Sequence, residues 1–370
     1  MVGLLLSGSA NTITNFVYAQ QQQEEQEQQQ YSFVGKWGSF GTGDGQFENV
    51  VGIAINSFNN NNVYTSNSNG NPNPGSNHRI QEFTKQGQFI TKWGTAGSGN
   101  GQFIDPFGIA FDSSGNVYVA DQVNQRIQKF TSDGTFIKSW GISTNPTSIA
   151  IDSKDNVYIT VQFSHLIAKY TSDGTFIKSW GSQGTDNGQF EYPRGIAIDS
   201  NDNVYVSDLI PNTLNYRVQK FTSNGTFITS WGSLGGSQAT SNQFNGYGIA
   251  IDTSNNVYVA DSFGNRIQKF TNNGMLITQF GTAGIDNGQF DTPHDIAVDS
   301  SGNVYVADTY NHRIQVFALA GTTTTTPDTA ITSAIDGNGV AIQNGGSTVS
   351  TSITFQVTAT TPGTNPIAGF

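Results

Sequence analysis

Aspartate, arginine and histidine recur in this chain at spacings that admit three chemistries: charge-based recognition, calcium or zinc binding, and acid–base work. Aspartate and arginine pair off as Asp121/Arg126, Asp208/Arg217, Asp261/Arg266 and Asp308/Arg313. One further copy has lost both partners, with Val161 and Leu166 in their places, and another sets Arg79 opposite Asn67. Joint loss marks a structural ion pair between two strands rather than a binding array, because a lone buried charge is costly. A second set, Asp112, Asp152, Asp199, Asp252 and Asp299 with Asn56 as its variant, precedes Ser/Thr/Gly/Asn turns. Side-chain capping of the turn accounts for these residues, and calcium is the one cofactor they admit. His78, His165 and His312 sit between an Asn (or its degenerate equivalent) and an Arg or Leu, in a loop, which favours a turn role over metal binding. No metal or other cofactor is expected.

These residues are carried by a repeat. Six I-A-x-[DN] cores align at Ala54, Ala110, Ala150, Ala197, Ala250 and Ala297, with gaps of 40 to 56 residues, the period of propellers and solenoids. The R-[IV]-Q runs give the same count, and so do the five tryptophans, Trp37, Trp93, Trp140, Trp180 and Trp231, with Phe280 as the sixth member. Within one copy, Gly108–Asp112, Val117–Asp121, Arg126–Phe130 and Phe136–Trp140 are short β-branched and aromatic runs separated by Gly/Asn/Asp turns. Helical periodicity is absent. The expected fold is all-β: a six-bladed β-propeller of four-stranded antiparallel blades. The sixth copy lacks its fourth strand after Phe317, and Phe33–Gly38 matches Phe136–Gly141, so the N-terminal strand is expected to complete blade six and close the ring.

In a blade the first strand is innermost, so the residue leading into it stands at the mouth of the central channel. Its six occupants are Val51, Phe107, Thr147, Arg194, Tyr247 and His294. Turns on the opposite face are short and uniform. Loops on the mouth face vary, with insertions at Ser68–Ser76 and Ile210–Leu214 in blades across the ring from each other. Variation on a fixed frame is the pattern of a binding surface. Phe107, Arg194, Tyr247, His294 and the adjacent Asp295 are the ligand-binding candidates, and no catalytic residue is assigned.

The copies resemble the NHL repeat, matching G-[IV]-A-[IV]-D…N-[IV]-Y-V-[AS]-D…N-x-R-[IV]-Q-x-[FY] nearly residue by residue in blades two, four, five and six. The resemblance covers about residues 31–321 and implies fold rather than activity, since NHL-like propellers include binding modules, sensor domains and some enzymes. Some resemble amidating lyases whose zinc is held by histidines from several blades at this mouth; here His294 is the single histidine at such a position. A lactonase-like calcium site would draw on Glu48, Asp105, Glu191, Asp291 and Asp295 near the blade starts.

Composition narrows the partners. The 370 residues contain no cysteine, carry a net charge of −11 and spread sixteen Lys and Arg round the repeats, which disfavours nucleic acid. No apolar stretch is long enough to cross a membrane as a helix. Residues 1–19 read as the remnant of an export signal, 20–30 as a Gln/Glu-rich linker, 31–320 as the propeller and 321–327 as a Thr-rich linker. Residues 328–370 resemble the first strands of an immunoglobulin-like sandwich, at under half its length. The expectation is a secreted or cell-surface, monomeric, non-catalytic module that binds a protein, peptide or glycan. A Ca- or Zn-dependent lactonase-like hydrolase or lyase is the alternative.

Overall fold

The computed structural model describes residues 30–68, 77–210, 215–232 and 246–320, all within the first of the two units into which the chain divides, Met1–Thr323. The export signal, the Gln/Glu-rich linker up to residue 29, the whole Thr-rich linker, the C-terminal β segment and most of the two mouth-face insertions lie outside these residues. So does the stretch 233–245.

Six four-stranded antiparallel sheets stand round one axis. Blade one comprises Val50–Asn56, Asn62–Asn67, Arg79–Phe83 and Phe89–Trp93; blade two, Pro106–Phe111, Val117–Asp121, Arg126–Phe130 and Phe136–Gly141. Blade three runs from Pro146 to Trp180, blade four from Tyr192 to Trp231, and blade five from Gly246 to Phe280. Blade six takes Pro293–Val298, Val304–Asp308 and Arg313–Leu319 from its own copy and Tyr31–Trp37 from the N-terminus. The closing strand pairs antiparallel from Tyr31 against Leu319 to Trp37 against Ile314. Closure by the N-terminal strand is thus present as the missing strand required.

Burial follows strand position. The second strands are buried on both faces, as in Val117–Asp121, whereas the fourth strands alternate, as in Phe89–Trp93. The core is accordingly divided into seams between blades: Tyr64 and Ile80 of blade one pack with Ile109, Val117 and Phe130 of blade two, for example. The outer-strand tryptophans close these seams. Gly134, at φ +88° in the last turn of blade two, lies so flat on Trp93 of blade one that a Cβ there would meet the indole at 2.6 Å.

The aspartates cap their turns as expected. Asp112 Oδ1 accepts from the backbone N–H of Ser114 (3.1 Å) and of Asn116 (2.9 Å). They also do more. Asp112 Oδ2 pairs with Lys129 at 2.9 Å and with Tyr118 Oη at 3.0 Å, while that phenol reaches the Ser172 carbonyl of the next blade at 3.2 Å. Between blades five and six the equivalent turn does not exist. Tyr31 of the closing strand takes its place, with its ring stacked on Phe280 at 4.7 Å and its hydroxyl 2.7 Å from that of Tyr258.

Candidate functional site

The Asp/Arg pairs are structural. Arg126 Nε lies 2.7 Å from Asp121 Oδ2, and its remaining donors grip the carbonyls of Ser98, Gly99 and Gln102 in the loop that leads into the same blade. Arg217, Arg266 and Arg313 pair likewise. Arg79, opposite Asn67, keeps only the carbonyl contacts, to Thr42, Gly43 and Gln46. Where both charges are lost, Val161 faces Leu166. His165 and His312 occupy left-handed turn positions at φ +55° and +54°, where Gln125 and Asn265 stand in two other blades. His78 differs: it is buried, and its Nδ1 lies 3.3 Å from the backbone N of Asp105.

The lead-in residues do converge. Each first strand begins with a register shift, between Val50 and Gly52, Pro106 and Ile109, Pro146 and Ile149, Pro193 and Ile196, Gly246 and Ile249, and Pro293 and Asp295. A bulge re-aims the residue it displaces. Here it turns all six lead-in side chains to one cavity of 220 Å³ at the channel mouth, lined by Val51, Phe107, Thr147, Arg194, Tyr247 and His294 with Gln122, Gln162 and Asp295. Glycine after the lead-in residue lets neighbouring inner strands close up: a Cβ on Gly195 would fall 2.3 Å from the Tyr247 carbonyl.

Four of these side chains touch in sequence round the mouth. The Arg194 guanidinium lies 3.8 Å above the Tyr247 ring, Tyr247 packs on His294 at 4.3 Å, and His294 meets Phe107 edge-on at 5.6 Å. The Arg194 backbone carbonyl accepts from the Thr160 hydroxyl at 2.6 Å, but its guanidinium makes no hydrogen bond to a described residue, and its buried Nε has no partner. That separates it from the five repeat arginines. His294 Nδ1 lies 2.8 Å from the Val51 carbonyl, which can only accept, so Nδ1 carries the proton and Nε2 is an acceptor. Burial, aided by Arg194 and opposed by the Val51 bond, pushes the imidazole down to about 4, so the ring is neutral at pH 7.

Asp295 stands where four other blades have glycine. Its carboxylate accepts from the backbone N–H of Ile53 in blade one and of Ile296, each at 2.9 Å. Burial outweighs those two bonds and raises it to about 7. Its side chain still keeps a partial opening to the cavity, so it can exchange a proton with whatever occupies the mouth.

The carboxylate set drawn from the strand starts does not assemble. Of Glu48, Asp105, Glu191, Asp291 and Asp295, Asp295 alone lines the cavity; Asp105 instead bonds Ser68 Oγ. Among the described residues no three His, Cys, Asp or Glu side chains converge as metal ligands, and 69–76, 211–214 and 233–245 contain none of these residue types. Among the described residues the mouth therefore gathers no set of three carboxylate or histidine ligands. Also among the described residues, no helix is long and apolar enough to cross a membrane.

The NHL repeat family matches residues 103–130, 190–221 and 290–317, which are parts of blades two, four and six. Protein brain tumor of Drosophila melanogaster is 34% identical over 88 residues, 24% of this chain and 8% of that protein, so the chain spans a small part of that relative. Among solved structures, virginiamycin B lyase from Staphylococcus aureus superposes with a TM-score of 0.52 at 17% identity, over 78% of this chain and 98% of the lyase. A protein of unknown function from Bacteroides thetaiotaomicron gives 0.58 at 19%, over 78% and 76%. A gluconolactonase from Xanthomonas campestris gives 0.52 at 12%, over 73% and 86%. At these identities the structural likeness speaks for the fold alone. Repeat match, partial relative and observed architecture agree: the chain is an NHL-repeat protein whose repeats form a six-bladed β-propeller.

Proposed function

We propose that the channel mouth is a ligand-binding site and that the protein is a monomeric, secreted or cell-surface binding module for a protein, peptide or glycan. The observation that carries this reading is Arg194. Among the described residues every other arginine spends its guanidinium on the scaffold through at least one hydrogen bond, whereas this one is held by a ring stack over a cavity with its hydrogen-bonding capacity unspent. Such a group is positioned without being consumed, as a recognition residue must be. Thermal-shift screening of peptide and glycan collections tests it. Ligands are expected to raise the melting temperature of the wild type and not that of Arg194→Glu. The unliganded variant should melt within a few degrees of wild type, because a partly exposed cation–π contact contributes about 0.5–2 kcal/mol. Ligands that stabilise both proteins equally would place binding elsewhere.

A second reading, a hydrolase or lyase in the same cavity, is favoured by one observation. Asp295 holds a proton near neutral pH beside the neutral, accepting His294, which is the pairing that general acid–base catalysis uses. The similar folds include a lyase and a gluconolactonase. Turnover of lactone or amide substrates that Asp295→Asn abolishes would establish this reading. Stoichiometric metal in the purified protein would return a metal-dependent version of it.

A further inference from the structure

The mouth has an outer collar that the repeat does not require. Two residues beyond the end of the second strand, at the apex of the turn into the third, blade two has Val123, blade three Phe163, blade five Phe263 and blade six Tyr310. They are 45%, 56%, 68% and 57% exposed. These are the four blades in which that turn is short, and each places a large apolar or aromatic side chain at its tip, where turn chemistry calls for polar residues. Scattered exposed apolar residues need no explanation, but the same position used in four blades on one face does.

Strands in a sheet lie about 4.8 Å apart, so these turns stand about 5–10 Å outward from the inner strands that carry Arg194. An extended chain advances about 3.3 Å per residue. About two or three residues therefore lead from the channel to the collar. Inside, the Arg194 fork lacks an acceptor, and a carboxylate matches a guanidinium in shape and charge. Gln122 and Gln162 line the same cavity and offer amide groups to a peptide backbone. Val123 has no flat face for a sugar ring, and an apolar collar leaves sugar hydroxyls without partners.

We infer that the mouth takes the free carboxyl terminus of an extended apolar peptide, with the carboxylate on Arg194 and the preceding side chains on the collar of Val123, Phe163, Phe263 and Tyr310. This rests on the reading of the mouth as a binding site. Its test uses the whole chain and N-terminally fluorescein-labelled tetrapeptides built from Phe, Leu, Val and Trp, each as free acid and as C-terminal amide, followed by anisotropy. The acids are expected to bind at least ten-fold more tightly than the amides, and Arg194→Met to erase that difference. The double variant Phe163→Ser/Phe263→Ser should weaken both forms without changing their ratio. Equal binding of acid and amide would overturn the carboxylate anchor while leaving the mouth reading in place. Binding of neither form, or Arg194-dependent binding of acidic glycans instead, would overturn the peptide assignment. Binding indifferent to both the Arg194 and the collar substitutions would overturn the mouth reading as well.

Discussion

Asp295 and His294 are neighbours whose titrations act on stability in opposite senses. An unfolded aspartate ionises near 3.8, and burial holds Asp295 up near 7. Between those values the folded chain keeps a proton that the unfolded chain has lost, so rising pH lowers stability through this window, and the penalty is complete above it. His294 is pushed from 6.5 down to about 4, so its neutral folded form favours the native state above 6.5 and that advantage is lost as pH falls toward 4. Asp295→Asn removes the first effect alone. The melting temperature of the variant minus that of wild type is expected to rise from pH 4.5 to about pH 7 and to level off by pH 8. A difference that is flat across this range would show Asp295 to be an ordinary ionised carboxylate. Arg194 belongs to the same scale: its stem is packed and its head is unspent, which is why its removal should disturb ligand more than fold.

At the scale of the element, the blades are held by contacts repeated from seam to seam. The turn glycine of one blade lying on the tryptophan of the blade before it is the contact least tolerant of change. Gly134→Val should destabilise by about 2–5 kcal/mol, from a β-branched residue forced to positive φ and from overpacking against Trp93. Chemical denaturation of Gly134→Val, Trp93→Ala and the double variant would measure the coupling; costs that simply add would mean that glycine and indole do not press on each other. The repeats made much of this level legible in the sequence. Blade number, strand order, the closing strand and the Asp/Arg staples all recur, and joint loss at Val161 and Leu166 exposed the staple's logic. The Asp112–Tyr118–Lys129 cluster was equally periodic, but its ion pair joins three strands and cannot be read from one turn. The stacking of Arg194, Tyr247, His294 and Phe107 lay beyond the sequence for another reason. Residues about 50 positions apart, and in the case of Phe107 and His294 187 apart, meet only because a bulge at each strand start turns them inward. The collar has no sequence motif of its own, since Val123, Phe163, Phe263 and Tyr310 share only their place at a turn apex.

At the scale of the molecule, a ring closed by Tyr31–Trp37 gives blade six the same four strands as the other five, and each blade is fixed by two seams. The six lead-in positions can therefore vary without moving one another, which separates what holds the fold from what meets a ligand. The uniform opposite face and the individual mouth follow from that division. The claim that the mouth is where this protein acts reduces to the behaviour of one side chain. The direct measurement is a ¹⁵N–¹H correlation spectrum of the arginine Nε–Hε groups, titrated with the apolar tetrapeptide acids. One cross-peak, assigned by its absence from Arg194→Met, is expected to shift with saturation while those of Arg79, Arg126, Arg217, Arg266 and Arg313 stay in place. A titration that moves the scaffold arginines and leaves the Arg194 peak unmoved would contradict the assignment of function to the mouth.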